Sequence, residues 1–204
     1  MVIVTTVQSE ADVQGILTLQ QANLRKNVPA AVQADQGFVT VEHDPDVLMR
    51  MNQAAPSVIA KDGDTVVGYC LTMLPSFATD VPELKPLFDS IGELTYQGRP
   101  VHQYPYYVMG QVCVGAGYRG QQLFDRMYQH QRTVYGDRYR LLITDISERN
   151  SRSLRAHARV GFEPIHRFYD PVLGENWIVV VWDWLAGSKS ESYRPDEPDH
   201  SRSM

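Results

Sequence analysis

Hydrophobic and polar positions change their spacing several times along the chain, and each change predicts an element. Val2 to Val7 is short, apolar and β-rich, and reads as a first strand. Ser9, with Asp12 three residues on, has the form of a helix start, and Val13, Ile16, Leu17 and Leu24 then fall on one helical face. Residues 28–43 carry neither period. Asp44-Pro45 predicts an N-cap followed by proline in the first helical position, opening a short helix through Met51. The β-rich runs 57–61 and 65–74 flank Asp62-Gly63-Asp64, and an Asp-Gly pair in that place predicts a hairpin.

The second half is organised differently. Residues 75–105 form a long connection rich in proline and aromatics, with a helix predicted over 82–91. Connections of this length in compact domains are usually functional or disordered, and Phe77, Leu87 and Phe88 argue against simple disorder. Tyr106–Val114 reads as a strand that runs into a glycine-rich turn. A helix is predicted over Arg119–Tyr135, with Leu123, Met127 and Val134 toward the sheet and Gly136 as its stop. Tyr139–Ile146 is nearly continuously apolar, as a strand buried on both faces should be. Asn150 caps a short helix that stops at Gly161-Phe162, and Phe162–Tyr169 and Trp177–Trp184 close the chain as two strands. From Ala186 the composition turns to Ser, Glu, Asp, Pro and Arg, which predicts a disordered tail over 186–204 behind one domain over 1–185.

At 204 residues and 43% hydrophobic content, a single domain with a full core is expected. No apolar stretch approaches a membrane span, and the start of the chain lacks the basic and apolar regions of a secretory leader, so a cytoplasmic protein is expected. The net charge of −5 with scattered basic residues argues against nucleic acid as a partner. Cys70 and Cys113 sit inside strand-like runs and read as buried thiols. The six histidines are dispersed and suggest no metal site.

The candidate chemistry lies in residues 112–162. A strand ending in a turn that opens a helix presents free backbone N–H groups and a positive dipole end, which suits phosphate. Gly115-Ala116-Gly117-Tyr118-Arg119-Gly120 is literally G-x-G-x-x-G, and Asp145 follows on the next strand, so a dinucleotide-binding reading exists. Against it stand the long region before the motif and the single βαβ unit that the pattern allows.

The same run resembles the GNAT superfamily of acyl-CoA-dependent N-acyltransferases. Arg119-Gly120 matches the start of that family's phosphate loop, Asn150 its asparagine, and Gly161-Phe162 its closing pair. Three positions depart from the pattern. Gln122 and Phe124 stand where small residues are usual, and His157, seven residues after Asn150, stands where a tyrosine is usual. The resemblance implies an α/β (α+β) fold with a mixed, mostly antiparallel central sheet flanked by helices, and acetyl-CoA as the cofactor.

It also implies roles. The main chain of Val112, Cys113 and Val114 would line the pantetheine arm, with one N–H there, that of Val114, polarising the thioester carbonyl. Arg119 and the main chain of Gly120, Gln121, Gln122, Leu123 and Phe124 would hold the pyrophosphate. Asn150 and Ser153 would contact the arm, and His157 would contact it or act as general acid. Asp145 is a candidate general base, beside Glu93 and Glu148, but equally a helix cap or an ion-pair partner of Arg149, Arg152 or Arg155.

The function so implied is transfer of an acetyl group to a primary amine by direct attack, with a small-molecule or peptide amine as acceptor and a homodimer as a possible assembly. The alternatives are a non-catalytic acyl-CoA-binding module and an NAD(P)-dependent oxidoreductase. Within residues 75–105, Phe77, Phe88, Tyr96, Tyr104 and Tyr106 are candidate walls of an acceptor pocket with Glu93 as partner of a cationic amine, or anchors of a lid or dimer contact.

Overall fold

The computed structural model describes residues 1–29, 33 and 38–185, so the expected tail at 186–204 lies outside the described residues. One seven-stranded sheet organises the chain. Its strands are β1 (Val2–Thr6), β2 (Val58–Asp62), β3 (Thr65–Met73), β6 (Tyr106–Val114), β7 (Leu141–Ser147), β8 (Glu163–Asp170) and β9 (Glu175–Asp183), in the order β1-β2-β3-β6-β7-β9-β8. Only β6 and β7 pair in parallel. A doubly wound parallel sheet, which the dinucleotide reading requires, is therefore absent from the described residues. β4 (Thr95–Tyr96) and β5 (Arg99–Pro100) form a separate small hairpin.

The helices are α1 (Glu10–Asn23), α2 (Pro45–Ala54), α3 (Lys85–Glu93), α4 (Leu123–Tyr135) and α5 (Ser151–Val160). The expected caps are present. Ser9 accepts from the Asp12 amide, Asp44 from the amides of Asp46 and Val47, and Asn150 from that of Ser153. Each satisfies an N–H that the first helical turn leaves without a partner.

Strand alternation divides the core. Cys70, Tyr107, Met109 and Leu142 face one side, where Leu123, Met127 and Tyr128 of α4 cover them. Tyr69, Leu71 and Cys113 face the other side, under Val13 and Ile16 of α1 and Leu48 of α2. Farther along that second side, Val108, Leu141, Ile143, Val179 and Val181 lie beneath the 75–105 segment. Its aromatics Phe77, Tyr96 and Tyr104 are buried in this cluster, so they serve as core.

Two expected boundaries move. The helix predicted from Arg119 begins at Leu123, because Gly120 and Gln122 both take positive φ (80° and 58°) and so extend the turn. The helix predicted over 82–91 is a short 3₁₀ turn at Pro82–Leu84 followed by α3.

Gly161 ends α5 at φ 121°, and its amide bonds the carbonyls of His157 and Ala158. A Cβ there would stand 2.8 Å from Trp182 Nε1. Strained backbone and a clash with a buried ring combine, so Gly161→Ala is expected to cost about 2 kcal/mol or more of stability, read from denaturant midpoints. An unchanged midpoint would contradict this account of the turn.

Candidate active site

The parallel pairing of β6 with β7 ends early. Tyr106, Tyr107 and Val108 pair with Leu141, Leu142 and Ile143, and no further pairs follow. The Thr144 hydroxyl donates to the Met109 carbonyl at 3.0 Å and marks the point where the strands part. On its other side, β6 carries a bulge. β3 advances two residues from Cys70 to Thr72 while β6 advances three from Met109 to Val112. A bulge bends its strand and breaks the ladder locally, which suits a strand that must leave one neighbour. The buried Gln111 side chain fixes the bulge. It accepts from Gln20 (2.8 Å) and Tyr69 (2.6 Å) and donates to the Val41 carbonyl (2.8 Å).

A groove of about 990 Å³ runs from this split across the starts of α4 and α5. Val112, Cys113 and Val114 form its floor, and Gly120, Gln122, Leu123 and Phe124 its α4 side. No side chain caps α4, so the N–H groups of its first turn face outward unspent. Gln121 does not line this groove; its side chain bonds the Gly117 carbonyl. Gln122 holds the left-handed conformation that a small residue, above all glycine, adopts with least strain.

Arg119 lines the groove but is also a strut. Its Nε donates to the Val114 carbonyl and its Nη2 to Asn23 Oδ1, both at 3.1 Å, tying the end of β6 to α1. More positive charge comes from α5, whose Arg152, Arg155 and Arg159 also line the groove. Arg159 pairs with Asp125 at 3.0 Å. Sequence reasoning had treated Arg152 and Arg155 only as partners for Asp145. The signal was the 3-and-4 spacing of these arginines, which places them on one helix face.

A second cavity, of about 140 Å³, adjoins the groove and shares Val112, Asn150 and Ser153 with it. Asp145 lines it, as do Asp170, Glu83, Phe168 and Trp177. Burial, with the Asp170 charge adding, raises the Asp145 carboxyl to about 7. Glu93 and Glu148 line neither cavity, and Glu148 is instead paired with Arg167 at 2.6 Å. Of residues 75–105, Glu83, Leu84 and Pro86 reach the small cavity, in place of the expected aromatics.

His157 is buried between α5 and α4. Its Nδ1 lies 2.8 Å from the Ser153 carbonyl, which only accepts, so Nδ1 carries the proton. Nε2 then accepts from the Tyr128 hydroxyl at 2.7 Å. Burial holds the ring near pKa 4. A neutral ring whose one N–H is spent on a carbonyl is poorly placed to donate a proton, which departs from the general-acid expectation. Phe124 packs edge-on against this ring at 5.0 Å and against Tyr128 at 4.9 Å, so its side chain points away from the groove floor.

These shifts predict stability against pH. His157, and His43 likewise near 4 by burial, stay neutral in the folded state while the unfolded chain gains protons below about 6.5. Stability should therefore fall as pH drops from 6.5 toward 4. Asp145 acts at the other end. Its raised carboxyl keeps a proton that the unfolded chain has lost, and stability falls as pH rises from about 4 through 7. Asp145→Asn should accordingly raise the melting temperature at pH 8 and leave it unchanged at pH 4. An equal effect at both pH values would contradict the burial of this charge.

No protein-family model and no curated protein matches the chain. Solved structures do. The NatC complex bound to Gag peptide and CoA contains a chain that matches with a TM-score of 0.61 at 11% identity, over 89% of this chain and 98% of that one. The yncA protein of Salmonella typhimurium, solved with acetyl-CoA, matches with a TM-score of 0.59 at 13% identity, over 96% and 98%. The ribosomal-protein-S18-alanine N-acetyltransferase of Escherichia coli matches with a TM-score of 0.56 at 10% identity, over 90% and 94%. At these identities the likeness concerns architecture: this chain has the GNAT N-acetyltransferase fold.

Proposed function

We propose that residues 1–185 form an N-acetyltransferase domain that uses acetyl-CoA and acetylates a primary amine. The observation that carries this reading is the split between β6 and β7, with an arginine-lined groove on one side and a half-buried carboxylate lining a small cavity on the other. The fold, shared with proteins solved holding CoA or acetyl-CoA, supports it.

The residues present fit the cofactor. The groove volume lies within the usual range for ligand sites, about 300–1,000 Å³. Main-chain groups of Val112 to Val114, unpaired toward β7, align the arm, and a Val114 N–H directed at the thioester oxygen would stabilise developing negative charge. The first-turn N–H groups of α4 and the guanidinium groups of Arg152 and Arg155 hold phosphate, while Arg119 braces the loop from behind. Phe124 and Gln121 contribute main-chain contacts at most. Acetyl-CoA supplies an activated acetyl thioester.

Asp145 is assigned as general base. With its carboxyl near 7 it is partly ionised at neutral pH, and it takes the proton that the attacking ammonium must lose. The nitrogen lone pair then forms the new C–N bond while the C–S bond breaks, and the second proton that the bonded nitrogen must shed passes through solvent to the departing thiolate. The Ser153 hydroxyl, which lies 3.2 Å from His157 Nδ1 and lines both cavities, is placed to hydrogen-bond the departing sulfur. His157 is assigned a positioning role, holding Ser153 and Tyr128.

Two measurements test this reading. CoA should raise the melting temperature with a shift that grows with concentration, whereas NAD(P) should not. Arg155→Glu should weaken CoA binding by about tenfold or more, since it reverses one charge facing phosphate. CoA affinity unchanged in that variant would remove α5 from the phosphate site.

For catalysis, kcat/KM should rise with pH through an apparent value near 7. Asp145→Asn should abolish that rise and lower kcat by roughly 10²–10⁴-fold with CoA affinity intact. CoA binding without turnover over a broad amine panel would favour a non-catalytic acyl-CoA-binding module instead.

A further inference from the structure

The small cavity beside the groove has a charge character opposite to the groove's. Among the described residues three acidic ones line it, Asp145, Asp170 and Glu83, and no lysine or arginine does. Its one histidine, His157, is held neutral by burial. Asp145 is half-buried at the cavity wall, and its carboxylate takes no hydrogen bond from any other described residue, so it is open to a donor that enters the cavity. Asp170 is buried, and its Oδ1 accepts from the amides of Val172 and Leu173 at the β8–β9 turn. That leaves Oδ2 for a further donor. Glu83 is exposed at the rim.

Size limits the occupant. A cavity of about 140 Å³ is close to the ~150 Å³ engineered cavity that accepts benzene, so it holds about six non-hydrogen atoms. A group that fills it must satisfy two separated carboxylates, cross the apolar surface of Phe168 and Trp177, and bring no negative charge of its own. An α- or ω-amino acid would place its carboxylate among three others. A simple monoamine would leave the second carboxylate without a partner.

We infer that the acceptor is a short aliphatic diamine, with one amino group presented at Asp145 and the other held as an ammonium ion by Asp170, Glu83 drawing the cation to the mouth. This rests on the acetyl-transfer reading for its chemistry but not for its binding. In the transfer, Asp145 takes one proton from the reacting ammonium, the acetyl C–S bond breaks as the C–N bond forms, the nitrogen's second proton passes through solvent to the departing thiolate, and the distal ammonium is unchanged. The product is a monoacetylated diamine, which has lost one of its two charges and with it part of its hold on the cavity.

Calorimetric titration of 1,4-diaminobutane, butylamine and 4-aminobutyrate into the protein, with and without CoA, tests this. The diamine should bind at least tenfold more tightly than butylamine, and 4-aminobutyrate most weakly. Asp170→Asn keeps the Oδ1 acceptor that the turn requires, and it should erase the preference for the diamine over butylamine. Glu83→Gln, at an exposed position, should weaken diamine binding severalfold and leave butylamine unchanged. Equal affinity for diamine and monoamine, or a preference that survives both substitutions, overturns the inference. Failure of the cofactor reading looks different: no heat with CoA while the diamine preference persists. With acetyl-CoA present, equal acetylation of 4-aminobutyrate and the diamine, followed by mass spectrometry, would also overturn it.

Discussion

The early parting of β6 from β7 is the constraint on which the rest of the site depends. Beyond Val108 and Ile143 the two strands no longer satisfy each other's main-chain groups. Backbone N–H and C=O groups inside a fold are seldom left without partners, so such a split is stable only where water or a ligand completes it. The surrounding structure holds it open. The bulge opposite Cys70 and Thr72 bends β6, the Gln20–Gln111–Tyr69 contacts fix that bend to α1 and β3, and Thr144 bonds Met109 at the fork. A strand that paired along its whole length would leave neither the groove nor the cavity beside it.

The split also separates charge. Arginines of α5 and the uncapped start of α4 gather on one side, and carboxylates from β7, the β8–β9 turn and the 82–84 turn on the other. Opposite fields close together would normally collapse into ion pairs. Several nearby charges do so: Arg25 with Glu175 at 3.0 Å, Arg167 with Glu148, and Arg159 with Asp125. Asp145 escapes because β7 carries its side chain into a cavity that, among the described residues, no lysine or arginine lines. Its raised pKa follows from desolvation and the Asp170 charge, and a carboxylate so placed near neutrality suits the general-base role proposed for it.

The sheet was largely legible in the sequence because periods of two, an Asp-Gly turn and capping residues are local signals. The strand 106–114, the hairpin at 62–64 and the caps Ser9, Asp44 and Asn150 all stand where those signals put them. The start of α4 was misjudged because Arg119-Gly120 resembles a helix start, whereas a non-glycine residue in left-handed backbone, Gln122, has no sequence signature. The acidic cavity was illegible for another reason. Its carboxylates come from positions 83, 145 and 170, which only the crossing of strands brings together. The aromatics of 75–105 misled because a Phe or Tyr reads the same whether it walls a pocket or fills a core.

Two of the three departures from the family pattern form one local solution. Phe124 and His157 are in contact, edge to face at 5.0 Å, with Tyr128 against both. A large ring at 124 is accommodated on the α4 side of the groove because the α4–α5 interface gives it an aromatic seat. The same seat fixes His157 through Tyr128 and the Ser153 carbonyl, with its proton committed inward. A tyrosine at 157 could not offer a second ring nitrogen to the Tyr128 hydroxyl. The exchange therefore carries a chemical consequence. His157, to which the resemblance gives contact with the cofactor arm or proton donation, is here part of the packing between α4 and α5, and Ser153, one turn earlier on that helix, lines both cavities. The proposed general base, Asp145, stands on the strand across the split, so in the proposed mechanism proton transfer runs between that half-buried carboxylate and the amine rather than through α5.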